Sequence, residues 1–169
     1  RFITNADLPV VAGAIVTEPT NLKIVNCHRG ILWLRITTKG KTAHGSMPEL
    51  GFNAIESIRK VMNALAEFSL GHDEHPQLGK NTVSINMVHG GSAPNVIPDR
   101  CSCTLDIRTL PGQSSEDVLG KISDMLEDIS VSNKGFSATT EIIRNCSALE
   151  TDRDDPFVLK MCHNFGQEE

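Results

Sequence analysis

Between residues 31 and 36 the chain alternates. Leu32, Leu34 and Ile36 fall on one face and Ile31, Trp33 and Arg35 on the other, the period-two pattern of a strand with two occupied faces. Regularity then stops. Gly40, Gly45, Pro48 and Gly51 punctuate a polar loop that carries His44, and Asn53 followed by Glu56 reads as a helix cap with its reciprocal partner. The spacing predicts a helix over 53–69, with Ile55, Ile58, Met62, Leu65 and Ala66 on one stripe. After a polar connection with Gly71, Pro76 and Gly79, alternation returns, and Val83, Ile85 and Met87 share one face of a strand over 82–88. A further strand over 101–109 sets Cys101, Cys103, Leu105 and Ile107 inward and Thr104, Asp106 and Arg108 outward. Pro111-Gly112 ends it. Ser114 or Ser115 starts a second amphipathic helix with Val118, Leu119, Ile122, Met125, Leu126 and Ile129 on its core side, and residues 136–143 form a last strand.

The order over 31–144 is strand, helix, strand, strand, helix, strand. This is the split βαβ arrangement, so the expected class is α+β, a ferredoxin-like open-faced sandwich with two helices on one face of a four-stranded antiparallel sheet. Helices with single apolar stripes cover one face only. The face with Arg35, Thr37, Asp106 and Arg108 is therefore open, or covered by something outside this segment. The flanks read differently. Residues 12–16, AGAIV, are expected as a buried strand of a sheet that is mostly missing, ending in Thr17-Glu18-Pro19-Thr20, and 22–26 as a short extended piece. An acid at the C-terminal end of a buried strand stands where open α/β sheets place their ligands. Taken alone, Glu18 reads more simply as a solvated turn residue. A helix over 154–162 starts at Asp155-Pro156. With no initiator Met before Arg1 and a final helix that reads as cut short, the chain is expected to be a piece of something longer.

Composition narrows the function classes. A chain of 169 residues can bury roughly 70% of the surface its unfolded form exposes, enough for one domain with short extra pieces. With 22% charged residues, 39% hydrophobic ones and a net charge of -5, no basic stripe interleaved with aromatics and no Tyr, nucleic acid is not an expected partner. No apolar run approaches the ~20 residues of a membrane span and no signal-peptide pattern occurs, so neither membrane insertion nor export is expected and a cytoplasmic location is. The five cysteines are odd in number and lack a C-x-x-C pair, which argues for reduced thiols rather than a disulfide framework or structural zinc. The HDEH run at 72–75 has no rigid element beneath it and is expected to hold a metal at most adventitiously.

Two loops carry candidate chemistry. His44 lies between a strand and a helix start, where a histidine either binds something or is simply solvated; taken alone, the solvated reading is the simpler one. Asn95, at the end of Gly90-Gly91-Ser92-Ala93-Pro94-Asn95, supplies an amide donor and acceptor. No G-x-S-x-G elbow occurs and no cysteine has a nucleophile setting, so serine or cysteine hydrolase chemistry is not supported.

Three motifs coincide in one order: TEPT at Thr17, HRGILWLRITTKGKTAHGSMPELGFNAI from His28, and GGSAPNVIPDRCSCTLDIRTLPGQ from Gly90. Together they closely resemble the dinuclear zinc hydrolases that include acetylornithine deacetylase, succinyl-diaminopimelate desuccinylase, aminoacylase and carboxypeptidase G. The resemblance implies a lid, or dimerisation, domain at 21–148, an edge of a catalytic α/β domain at 1–20, and its returning segment at 149–169. It implies a homodimer through the lid, a small N-acyl amino acid as substrate, and two zinc or cobalt ions in the intact enzyme. By the same resemblance Glu18 matches a metal carboxylate ligand, and His44 matches the lid histidine that supports the oxyanion in the other subunit's active site. Asn95 and Arg108 match lid positions that hold substrate. The family's H-x-D pair, bridging Asp, catalytic Glu-Glu and distant C-terminal His have no counterpart in this sequence, and Glu168-Glu169 and His163 stand in the wrong places. The chain by itself is therefore expected neither to hydrolyse amides nor to hold catalytic zinc. The competing expectation is a stand-alone ferredoxin-like module that dimerises or binds a small regulator.

Overall fold

The alternating run that begins at Ile31 becomes an inner strand of a sheet. The computed structural model describes residues 13–71 and 74–167, and these gather into two units, 28–149 and 13–27 with 150–167. Along the chain run β1 (Cys27–His28), β2 (Ile31–Lys39), β3 (Ala43–His44), a 3-10 turn at Pro48–Leu50, α1 (Ala54–Ala66), β4 (Thr82–Gly90), β5 (Val96–Ile97), β6 (Arg100–Arg108), α2 (Ser115–Ser132), β7 (Ala138–Cys146), β8 (Leu149–Glu150) and α3 (Pro156–Asn164).

In the larger unit β4, β6, β2 and β7 form one antiparallel sheet in that order. Its core face carries Leu32, Leu34 and Ile36 beside Cys101, Cys103, Leu105 and Ile107, all buried, under Ile58 and Val61 of α1 and Val118 and Ile122 of α2. This is the ferredoxin-like sandwich the element order predicts. Burying each of these Leu, Ile and Val side chains contributes about 1.5–3 kcal/mol. Burial also pushes the Cys103 thiol up to about 11, with Cys101 beside it adding to the shift. Thr38, fully buried, donates its hydroxyl between the Ala54 carbonyl (2.9 Å) and the Cys101 carbonyl (3.2 Å).

The opposite face is polar and paired within itself. Arg35 bonds Glu141 at 2.8 Å, the Arg144 guanidinium lies 5.4 Å over the Trp33 ring, and Thr37 is buried.

Several expectations need correction. The α1 stripe is Ala54, Ser57, Ile58, Val61 and Leu65; Ile55 and Ala66 are exposed, because the small residues Ala54 and Ser57 sit close against the sheet and rotate the helix. The helix ends at Ala66 rather than Ser69, and the chain then turns so that Leu70 enters the core. Asn53 does cap it, accepting from the Ile55 and Glu56 amides, but the Glu56 carboxylate pairs with Arg59. Met87 is not on the face of Val83 and Ile85. A bulge at Asn86 sets Ile85 opposite Leu105 but Met87 opposite Thr104, so Met87 moves to the polar face and Val88 takes its place. The last strand starts at Ala138, because Phe136 closes a turn onto the Asn133 carbonyl and is buried.

The smaller unit corrects the expectation of a buried strand at 12–16. Ala12 lies outside the described residues, and 13–19 has no regular structure, with Ile15 and Val16 exposed. An apolar run forms a strand only when a partner completes its ladder, and among the described residues none does. Of the extended piece expected at 22–26, Leu22 instead takes positive φ within a turn, and 23–26 has no regular structure. The last helix begins as expected, with Asp155 accepting from the Phe157 amide at 2.8 Å.

Candidate functional site

Two loops that are distant in sequence are laced together at one end of the sheet. Lys41 and Phe52 exchange backbone hydrogen bonds (2.8 and 2.9 Å), closing residues 41–52 into a loop, and Gly40 and Ala54 at its base donate to the Asp99 and Pro98 carbonyls (2.7 and 2.9 Å). The base is so tight that a Cβ on Gly40 would stand 2.0 Å from the Phe52 carbonyl oxygen, which only glycine escapes.

From this base β3 pairs antiparallel with β5, setting Ala43 opposite Ile97 and His44 opposite Val96. The Gly45 amide donates to the Asn95 carbonyl at 2.7 Å, and a Cβ on Gly45 would meet the Asn95 backbone at 3.2 Å. The fold thus brings His44 and Asn95 to one tip, both exposed. An imidazole and a carboxamide together offer hydrogen-bond donors of adjustable protonation, suited to an anionic or carbonyl oxygen.

Arg108 does not join them. Arg108 ends β6, whereas the tip lies beside the Arg100 end; eight residues of strand separate the two ends, about 26 Å. Its guanidinium already forks the Asp106 carboxylate, Nε at 2.7 Å and Nη2 at 3.0 Å. Glu18 belongs to the smaller unit, where its side chain is exposed and its carbonyl accepts from the Thr20 amide at 2.8 Å.

One contact was not anticipated from sequence. Ser46 Oγ lies 2.8 Å from His44 Nδ1, and the Ser46 amide donates to the same nitrogen at 3.2 Å. A serine two residues after a histidine in a Gly-rich turn is the only signal of it in the sequence.

Among the described residues no metal centre is assembled. Among the described residues no three His, Cys, Asp or Glu side chains come together as a cation would need, and one carboxylate, Glu18, cannot hold two ions. The donor set does not fit a dinuclear site. Of the HDEH run, His72 and Asp73 lie outside the described residues, as do Glu168 and Glu169; the His75 Nδ1 accepts from the Gln77 and Leu78 amides. No helix among the described residues is long and apolar enough to cross a membrane. An open groove between α1 and α2, lined by Phe68, Met125 and Ile129 among others, lies on the helical face and shares no residue with the tip.

The sequence pattern of the family described as peptidase dimerisation domain matches residues 26–134, the stretch that holds the sheet's first three strands, the whole of α1 and α2 and the whole tip. The chain belongs to the peptidase dimerisation domain family. Among curated relatives of this dimerisation domain, the acetylornithine deacetylase of Aliivibrio salmonicida is 30% identical over 159 residues, 91% of this chain and 42% of the relative. That of Vibrio cholerae is 30% identical over 149 residues, 85% and 39%. Among solved structures, the aminopeptidase PepT from Bacillus cereus superposes with a TM-score of 0.64 at 23% identity, over 85% of this chain and 37% of that one. The di-peptidase Dug1p from Saccharomyces cerevisiae gives 0.62 at 15% identity, over 79% and 39%. These two structures speak to the fold. The dimerisation domain chain spans less than half the length of the curated relatives it matches.

Proposed function

We propose that this chain is the lid and dimerisation portion of a metal-dependent amidohydrolase that removes the acyl group from a small N-acyl amino acid, such as N-acetylornithine or N-succinyl-diaminopimelate. In this reading residues 21–148 are the lid, and 1–20 and 149–169 are edges of the catalytic domain, which work in the cytoplasm. Two lids pair in a homodimer, and the tip of each serves the active site of the other subunit. What supports the reading most is the β3–β5 pairing, which holds two exposed hydrogen-bonding side chains on a rigid tip within a domain whose family is named for dimerisation.

The chemistry assigned to each residue follows from its type. Attack of water on an amide carbonyl puts negative charge on the former carbonyl oxygen, and His44 donates a hydrogen bond to that oxygen from the lid. Asn95 holds a polar group of the substrate from the same tip. Arg108, freed from Asp106, offers the fork that suits a substrate carboxylate. Glu18 contributes one carboxylate to a zinc or cobalt centre whose remaining donors lie outside this chain, so the chain alone is inactive.

The test is His44→Ala in the complete enzyme. Turnover is expected to fall about a hundred- to a thousandfold, the usual worth of one oxyanion donor, with metal content unchanged. Loss of bound metal with intrinsic turnover preserved would overturn the assignment.

A further inference from the structure

The residues from His44 to Met47 close a turn, the Met47 amide donating to the His44 carbonyl at 2.9 Å. Inside that turn the His44 ring folds back on its own backbone: Nδ1 is 2.8 Å from Ser46 Oγ and 3.2 Å from the Ser46 amide nitrogen. A backbone amide can only donate. Nδ1 must therefore present its lone pair, and the single proton of a neutral imidazole then resides on Nε2, at the far corner of the ring. The serine hydroxyl, free to rotate, donates to the same lone pair and completes a three-centre arrangement. Both side chains are exposed, so the core does not fix the ring, and the serine hydroxyl, at the shorter distance, adds to the hold of the Ser46 amide.

We infer that Ser46 is the positioning residue of this site, holding neutral His44 in the tautomer that carries its proton on Nε2. The inference deepens the oxyanion-donor reading of His44 and, for its catalytic consequence, rests on it. An imidazole that donates to a developing oxyanion needs an N–H facing outward. Were Nδ1 the protonated nitrogen, the outward corner would be a bare lone pair and would repel the same oxygen. Residue size at the turn fits this purpose. Gly45 leaves no side chain between His44 and Ser46 where a Cβ would press on the Asn95 backbone, so the turn can be as tight as the Nδ1 contact requires.

The experiment is long-range ¹H–¹⁵N NMR on this chain labelled with ¹⁵N-histidine, with the His44 resonances assigned by their loss in His44→Ala. With the imidazole neutral, Nδ1 is expected to resonate as an unprotonated nitrogen and Nε2 as a protonated one. Ser46→Ala, which removes the hydroxyl and keeps the amide, is expected to move both resonances part of the way toward averaged values, and Ser46→Thr to restore them. A wild-type ring protonated at Nδ1, or nitrogen shifts indifferent to Ser46→Ala, would overturn the inference.

Kinetics of the complete enzyme form the second arm. Ser46→Ala is expected to lower kcat about three- to tenfold at unchanged KM, the worth of one neutral hydrogen bond, and to add nothing in a His44→Ala background. The two readings fail separately. If the shifts respond to Ser46→Ala but His44→Ala leaves turnover intact, Ser46 still positions the ring and the oxyanion reading falls. If His44→Ala abolishes turnover and the shifts do not respond, the oxyanion reading survives without Ser46.

Discussion

Thr38 is the side chain where helix, sheet and tip base meet. Its hydroxyl is shared between a carbonyl at the start of α1 and one at the start of β6, both in the dry interior. Thr38→Val keeps the shape but leaves those oxygens without that donor, and urea unfolding is expected to show a loss of about 1–2 kcal/mol. Cys103 sets a pH dependence. Its folded thiol titrates near 11 against an ordinary value of 9.0. Between those values the unfolded chain has already lost a proton that the folded chain retains, so stability falls as pH rises through this window and is undiminished below it. Urea midpoints measured from pH 8 to 11 are expected to decline, and Cys103→Ala to flatten the decline. At this scale the sequence was legible where chemistry alone decides, as at the Asn53 cap. It was illegible where a rotamer decides: nothing in the order His44-Gly45-Ser46 says that the ring turns back onto the serine.

Elements were readable in proportion to their regularity. β2 and β6 alternate without interruption along the stretch where they pair, so Leu32, Leu34, Ile36, Cys103 and Leu105 could be assigned to the core from period alone. β4 breaks at Asn86, and whether a strand bulges depends on the partner it must follow, which no local pattern encodes. Hence period alone puts Met87 on the wrong face. Met87→Ala is expected to cost less than about 1 kcal/mol in thermal or urea unfolding, whereas Leu105→Ala, fully buried, is expected to cost about 2–5 kcal/mol. Equal costs would mean the bulge is not where the register sets it. The described part of the apolar run, 13–16, failed as a strand for the same reason, since hydrophobicity supplies a wish to be buried and no partner. The pairing of β3 with β5 was also invisible, because two residues on each side are too few to leave a periodic trace.

At the scale of the molecule, β4 is the outer strand beside α1, and it leaves a backbone edge unpaired among the described residues, with Met87, Val88 and Ile55 exposed around it. Such an edge invites a second copy. Under the proposed lid reading the chain sediments as a two-fold dimer at tens of micromolar, and Val88→Lys, which places a charge on that edge, shifts it to monomer with the fold retained by circular dichroism. A monomeric wild type would remove the homodimer from the reading. The order of the strands in the sheet has a consequence for biosynthesis. β2 is flanked by β6 and β7, yet about sixty residues separate its end from the start of β6. At ribosomal rates of roughly 5–20 residues per second, the segment Ile31–Ile36 waits about 3–12 s for its first neighbour. During that interval α1 is already made and can cover the apolar face of this strand, but its backbone ladder stays unpaired until β6 emerges, so the domain's first strand is exposed to wrong partners for as long as translation takes to reach its third.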